Sequence, residues 1–219
     1  PEYKVMGTAL KRRDAHEKVT GKAQYAGDIR LPGMLYARSL RPPSHGAKLQ
    51  ELDASAAEAI EGTRLLRDGD LVAVTHERRD VADRADGLLK ATYSEAPETP
   101  DENTIYEHLM SVAPDGDPMG AAGDVAEGEA IAEEVFEETY YNAYVAHAPI
   151  EPHTALASME DGKLTVWAST QSPFGLKGQL MSELGLAESK VRVITPFVGG
   201  GFGGKGSSLQ GVQAGRLAK

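Results

Sequence analysis

The chain contains no cysteine. Disulfides, thiolate metal ligands, cysteine-held iron–sulfur clusters and cysteine nucleophiles are all excluded from it, while the cellular compartment stays open. No stretch approaches the roughly 20 apolar residues that a membrane-spanning helix requires. Lys and Arg are absent between Lys90 and Lys163, where Asp124, Glu127, Glu129, Glu133, Glu134, Glu137 and Glu138 crowd together. With a formal charge of −10 the chain is not expected to bind nucleic acid, which calls for a basic face. The acidic run reads as a solvated surface. The start, Pro1-Glu2-Tyr3-Lys4, lacks the basic-then-apolar pattern of a signal peptide, so the cytoplasm is the expected compartment; a cleaved leader, and with it the periplasm, is the alternative.

What is present is ordinary for a folded protein: 219 residues, 41% apolar and 26% charged, enough for one large or two small domains. Residues 1–20 read as a polar, extended arm. Residues 23–42 look β-rich, with a turn at Leu31-Pro32-Gly33-Met34 and a strand over 35–41 stopped by Pro42-Pro43. A helix is expected over 53–61, with Asp53 as N-cap and Gly62 closing it. Two strands, 63–67 and 71–75, flank the turn Asp68-Gly69-Asp70, and a helix over 77–91 carries Val81, Ala85, Leu88 and Leu89 on one face. This order suggests a small α/β domain. Residues 94–123, rich in Pro, Gly, Asp and Glu, read as a linker between domains. Beyond it a β pattern is expected over 130–144. Then come a strand over 163–169, a helix over 173–184 ended by Gly185, a strand over 190–195 and a helix opening near Ser207 with a serine N-cap.

Three segments carry chemistry. Val198-Gly199-Gly200-Gly201-Phe202-Gly203-Gly204-Lys205 places five glycines around one Phe between a strand and a helix. Glycine admits positive φ and close ligand approach, and successive N–H groups in such a loop form a concavity for anions. The following helix N-terminus adds positive potential. The loop is not a phosphate-binding P-loop, because Gly206 stands where Ser or Thr is required. It contains G-x-G-x-x-G, a weak dinucleotide signal by itself. The second segment is Ser169-Thr170-Gln171-Ser172-Pro173-Phe174. A Gln at a strand's end can offer an amide N–H to an oxo group, although an ordinary turn with Ser172 as N-cap and Pro173 at N1 accounts for the same residues. The third is His147-Ala148-Pro149-Ile150-Glu151-Pro152-His153. Two histidines and a carboxylate lie close in sequence, but the prolines fix an extended path that points them apart, so a structural loop lining a cavity is preferred over a metal site.

In this order and spacing the three segments resemble the xanthine dehydrogenase and aldehyde oxidase family of molybdenum hydroxylases. Ser169 to Phe174 is similar to its T-Q-x-P-F segment, Phe197 to Lys205 to its F-G-G-G-F-G-G-K loop, and Ala146 to Ala157 to its H-x-x-x-E-P segment. Val19 to Asp28 and Leu31 to Leu35 resemble the family's opening sequence. Residues up to about 95 are similar to its small hammerhead domain, abbreviated between Gly62 and Gly69. The resemblance implies an α+β fold: an N-terminal arm and hammerhead-like α/β domain over 1–110, then the beginning of a molybdenum cofactor-binding α+β domain over 111–219. Family large subunits are several times longer, so the chain is expected to end inside the cofactor-binding region.

Carried over by position, the resemblance implies that Gln171 hydrogen-bonds an oxo ligand of molybdenum. Backbone around Gly200, Gly201, Phe202, Gly203 and Gly204 would contact a molybdenum–molybdopterin cofactor, with or without a dinucleotide extension. Phe202 and Phe174 would wall the substrate pocket. No side chain would bind the metal directly. The family's general base is a glutamate near the large subunit's C-terminus; no position here matches it, and Glu151 belongs to a different motif. Gly206 replaces the Glu of some purine-oxidising members, which makes a purine substrate less expected. The implied function is a component of an oxidoreductase that hydroxylates an aldehyde or aromatic N-heterocycle with oxygen from water. The implied partners are the remainder of the molybdenum subunit, an iron–sulfur subunit, and a flavin subunit or other electron acceptor, since iron–sulfur clusters and FAD have no ligands here. The competing readings are a non-catalytic α/β module holding a nucleotide or phosphate ligand in the glycine loop, and a degenerate scaffold.

Overall fold

The computed structural model describes residues 3–116 and 120–219. After a short helix α1 (Ala15–Val19) the first half alternates strands with short helices. These are β1 (Tyr36–Ser39), β2 (Leu49–Asp53), α2 (Ser55–Glu58), β3 (Arg64–Asp68), β4 (Leu71–His76), α3 (Arg79–Asp86) and β5 (Lys90–Tyr93). β4 is central in an antiparallel sheet of order β1-β4-β3, and its run from Leu71 to Thr75 is buried throughout. β2 and β5 pair antiparallel in a separate two-stranded sheet. α3 buries Val81, Ala82 and Ala85, and a small core forms from Ala57, Val74 and Ala85 with Ile60, Leu65 and Leu89 around them.

Two sequence expectations change here. The helix expected over 53–61 shrinks to Ser55–Glu58, and Asp53 is not its N-cap but the last residue of β2. Pairing with β5 claims the backbone of Asp53, and its carboxylate accepts from the Ser55 N–H and hydroxyl at 3.0 and 2.6 Å. The helix expected over 77–91 stops at Asp86, because Lys90 to Tyr93 are needed to complete that same sheet.

The expected linker over 94–123 holds a helix, α4 (Ile105–Val112); its residues 117–119 lie outside the described residues. α5 (Val125–Ile131) follows, capped by Asp124, whose carboxylate accepts from the N–H groups of Ala126 and Glu127. The strand expected over 130–144 is not formed. Residues 132–149 have no regular structure and are almost wholly exposed, with Phe136 and Tyr140 among the exposed apolar side chains. Alternation favours a strand only where a neighbouring strand satisfies the backbone, and no described strand lies alongside.

The remaining elements build one layer of sheet and one of helix: β6 (Ala155–Glu160), β7 (Lys163–Ala168), α6 (Pro173–Leu184), β8 (Val191–Ile194) and α7 (Leu209–Ala218). β6 and β7 form an antiparallel hairpin; β7 and β8 run parallel, joined through α6. Leu176, Leu180 and Leu184 of α6 and Val212 of α7 bury against Leu164, Val166 and Ala168 of β7 and Val191 of β8. Each buried Leu or Val here contributes roughly 1.5–3 kcal/mol of apolar burial. The helix expected to open at Ser207 has Ser208 at its N-cap position instead, and that side chain makes no cap; its hydroxyl donates to Thr170 Oγ1 at 2.6 Å.

Several contacts join the halves, among them a hydrogen bond from Arg41 to Gln213 of α7 at 2.7 Å. The 3-10 turn Ala26–Asp28 packs on β6, while Phe197 N–H donates to Gln24 O at 3.1 Å and its ring meets Tyr25 at 6.1 Å. Arg216 of α7 reaches the β3–β4 turn, pairing with Asp68 at 2.7 Å and Asp70 at 2.9 Å. Among the described residues no helix is long and apolar enough to cross a membrane.

Candidate functional site

The topology explains why segments far apart in sequence meet. β7 and β8 are parallel, so α6 returns the chain to the edge it left, and the turns after both strands lie at their carboxyl ends. Such an edge, where loops follow parallel strands, is where open α/β sheets form ligand crevices. β6 runs the other way, pairing Ala155 with Ala168, so the residues preceding β6 arrive at that same edge. The Gln171 turn, the glycine loop and the 147–154 segment are thereby assembled side by side.

Their junction is hydrogen-bonded throughout. Ser169 N–H donates to Thr154 O at 3.0 Å, and Thr154 N–H donates to Ser169 Oγ at 3.0 Å. The buried Thr170 and Ser208 hydroxyls link the Gln171 turn to the start of α7, and Gln171 N–H donates to Lys205 O at 2.9 Å. The side-chain oxygen of Gln171 accepts from the N–H groups of Gly203 at 3.1 Å and Lys205 at 3.3 Å. Two backbone donors fix which end of the amide faces the loop, so the exposed Gln171 leaves its NH₂ directed away from it.

The loop itself is tightly turned. Gly200 and Gly203 sit at φ +100° and +99°, which only glycine adopts readily, and Phe202 is held at φ +52°. A bulky residue in that region is strained, a feature that clusters at ligand sites. Gly204 N–H donates to Gly201 O at 2.8 Å, and Gly203 N–H is taken by Gln171. The N–H groups of Gly200, Gly201 and Phe202 donate to no group among the described residues. Of the five loop positions expected to face a cofactor, these three present free donors.

Glycine is also required by close approach. A Cβ on Gly201 would lie 2.4 Å from Gln171 Oε1, and one on Gly204 would lie 2.9 Å from His147 Cγ. The loop is thus gripped between Gln171 and His147. Behind it Lys205, with no exposed surface, donates from Nζ to Glu151 Oε2 at 2.7 Å and to Glu151 O at 2.9 Å. Glu151 Oε2 also accepts from Gly199 N–H at 2.8 Å. Sequence reasoning had no signal for this pair, whose members are 54 positions apart. Among the described residues no group of three His, Cys, Asp or Glu side chains lies close enough to hold a metal.

The two phenylalanines expected to share a pocket are both exposed, Phe202 at 73% and Phe174 at 87%. Phe174 borders a shallow depression with Lys177, Arg192 and Thr195 that contains no glycine-loop residue. The loop and Gln171 therefore form one open wall and not an enclosed cavity.

Residues 111–218 match the family described as the molybdopterin cofactor-binding domain. The nicotinate dehydrogenase large molybdopterin subunit of Eubacterium barkeri is 32% identical over 239 residues, covering 93% of this chain and 56% of that protein. A nicotinate dehydrogenase subunit of Pseudomonas putida is 30% identical over 212 residues, covering 92% of this chain and 18% of that protein. Among solved structures, the Cu,Mo-CO dehydrogenase in its carbon monoxide reduced state superposes with a TM-score of 0.75 at 26% identity, covering 97% of this chain and 34% of that one. The chain spans between about a fifth and somewhat over half of the length of these relatives. With the glycine loop, Gln171 and the Glu151 segment assembled on one edge of the sheet, this chain belongs to the molybdenum hydroxylase family of xanthine dehydrogenase and aldehyde oxidase type, matching part of its molybdopterin-binding large subunit.

Proposed function

We propose that the chain supplies one wall of the molybdenum–pterin pocket in a multi-subunit oxidoreductase that hydroxylates an aldehyde or aromatic N-heterocycle with water-derived oxygen. The observation that carries this reading is a set of unpaired donors on two adjoining segments: three consecutive N–H groups at Gly200–Phe202 and the outward NH₂ of Gln171. Donors preorganised on a rigid frame favour an oxygen-rich anionic group without reorganising around it. The residues present fit such a group, because the nearby carboxylate of Glu151 is tied to Lys205 and does not oppose negative charge. When bound, the cofactor supplies the oxygen-transfer and redox chemistry. The chain's own residues bind and orient it: the loop amides hold its oxygens, Gln171 donates to an oxo group, and Phe202 and Phe174 border the substrate's approach.

In this reading residues 1–110 form the arm and hammerhead-like domain and 111–219 the beginning of the cofactor domain, with the 24–28 segment packed onto the latter. A general-base carboxylate comes from the remainder of the subunit. An iron–sulfur subunit and a flavin or other acceptor remove the electrons, because a cysteine-free chain cannot ligate the clusters. A nucleotide-binding module is disfavoured: the relatives named above are dehydrogenases with molybdopterin or molybdenum in two of their names.

Metal and pterin analysis of the native complex tests the reading directly, and absence of both would overturn it. Gln171→Glu sharpens the test. The variant keeps an oxygen for the Gly203 and Lys205 amides but replaces the outward NH₂ with an acceptor. Turnover is expected to fall by about 10²-fold, the usual effect of losing one preorganised donor, with the melting temperature nearly unchanged. Equal turnover would remove Gln171 from the site.

A further inference from the structure

We infer that the buried Lys205–Glu151 ion pair is a positioning device that aims the glycine loop's free amides, and so sets retention of the pterin–metal group; this rests on the function proposed above. The pair is poorly explained as a stabiliser. Buried ion pairs tend to break even against neutral replacements, because desolvation offsets attraction. This one is incompletely satisfied, since Glu151 Oε1 is buried and has no partner among the described residues. What the pair does accomplish is geometric. A single carboxylate oxygen, Glu151 Oε2, receives both Lys205 Nζ at 2.7 Å and Gly199 N–H at 2.8 Å. Those two donors bracket the loop, Gly199 at its start and Lys205 at its end.

The backbone repeats the clamp. Glu151 N–H donates to Gly199 O at 3.1 Å, and a Cβ on Gly199 would lie 2.5 Å from Glu151 Cβ, so the two segments touch without room to slide. On the far side Lys205 N–H is one of the two donors that orient Gln171. Glu151 thus acts through Lys205 and Gly199 on the direction of every free donor in the site. It is a positioning residue: its Oε2 is taken up by Lys205 and Gly199, through which it acts.

The test compares the native complex with three forms: Lys205→Met, the double variant Glu151→Gln with Lys205→Met, and Glu151→Asp. Melting temperature, molybdenum and pterin per chain, and hydrogen exchange across 198–206 are read for each. Lys205→Met strands a buried carboxylate and is expected to melt lower. The double variant removes both charges and is expected to regain the native melting temperature. Its cofactor content should nevertheless stay roughly tenfold low, with faster exchange in the loop, as when other supporting partners of a bound group are removed. Glu151→Asp keeps Lys205 paired but is too short to reach both donors, so it too should lose cofactor while folding normally. Full cofactor content in the double variant would assign the pair a purely structural role and overturn the inference. Should the double variant fail to fold, full content in Glu151→Asp overturns it and reduced content upholds it. A native complex free of molybdenum and pterin would instead sink the proposed function itself.

Discussion

At Gly201 the absence of a side chain is a matter of contact. An added methyl would meet Gln171 Oε1 at 2.4 Å, and because Gln171 is exposed it can swing away instead of straining the backbone. Gly201→Ala is therefore expected to cost only about 1 kcal/mol of stability, at the low end of overpacking, while breaking the bonds that orient the amide. Loss of activity with a nearly normal melting curve would confirm this; a large loss of stability with retained specific activity would refute it. Residues of this kind were readable in the sequence because glycine clusters and a Gln after a strand are local signals. Lys205 and Glu151 were not, since a long Lys in a polar loop gives no sign that it will be fully buried against a carboxylate 54 positions away.

Among the elements, the helices that cover the sheet show how context reverses the effect of one substitution. Gly215 faces the core, and a methyl there would lie 2.6 Å from Leu180 Cδ2. Overpacking of about 1–3 kcal/mol outweighs the helix-propensity gain of about 1 kcal/mol, so Gly215→Ala should destabilise. Gly178, in α6, has nothing within 4 Å of an added methyl, so Gly178→Ala should stabilise by about 0.5–1 kcal/mol. Thermal or denaturant unfolding of the two variants reads the signs, and a shared sign would refute the packing argument. β7, α6 and β8 were legible because each carries its own apolar pattern and Gly185 ends α6 in the left-handed conformation. β2 and β5 were not, because Gln50 and Glu51 give no alternation and the strands exist only through each other. The pattern over 130–144 misled for the converse reason: it alternates, but no described strand pairs with it.

Across the whole molecule, Arg216 latches α7 to the β3–β4 turn. Its hydrogen bond to Asp70 holds that carboxyl below the usual aspartate range. A carboxyl with a depressed folded value contributes stability that is complete above its unfolded value and lost as pH falls through the folded one. The latch should weaken in acid, below about pH 4. Asp70 is largely exposed, so solvent screening limits the contribution to under about 1 kcal/mol. Arg216→Gln should lower the melting temperature by no more than about 2–4 °C at neutral pH and by less at pH 3. An equal drop at both would show that the ion pair contributes nothing there.

Local order in the chain determined the chemistry on offer: a cysteine-free composition, a glycine loop after a strand, a Gln at the end of another, and the helix between them. These follow from short-range propensity and side-chain identity, which a few neighbouring residues carry. Tertiary structure alone decided which donors are free, that Gln171 turns its NH₂ outward, and that Lys205 is buried on Glu151. Those outcomes depend on parallel pairing of β7 with β8 and antiparallel pairing of β6 with β7. That pairing brings distant segments within hydrogen-bonding distance, and separation along the chain does not encode it.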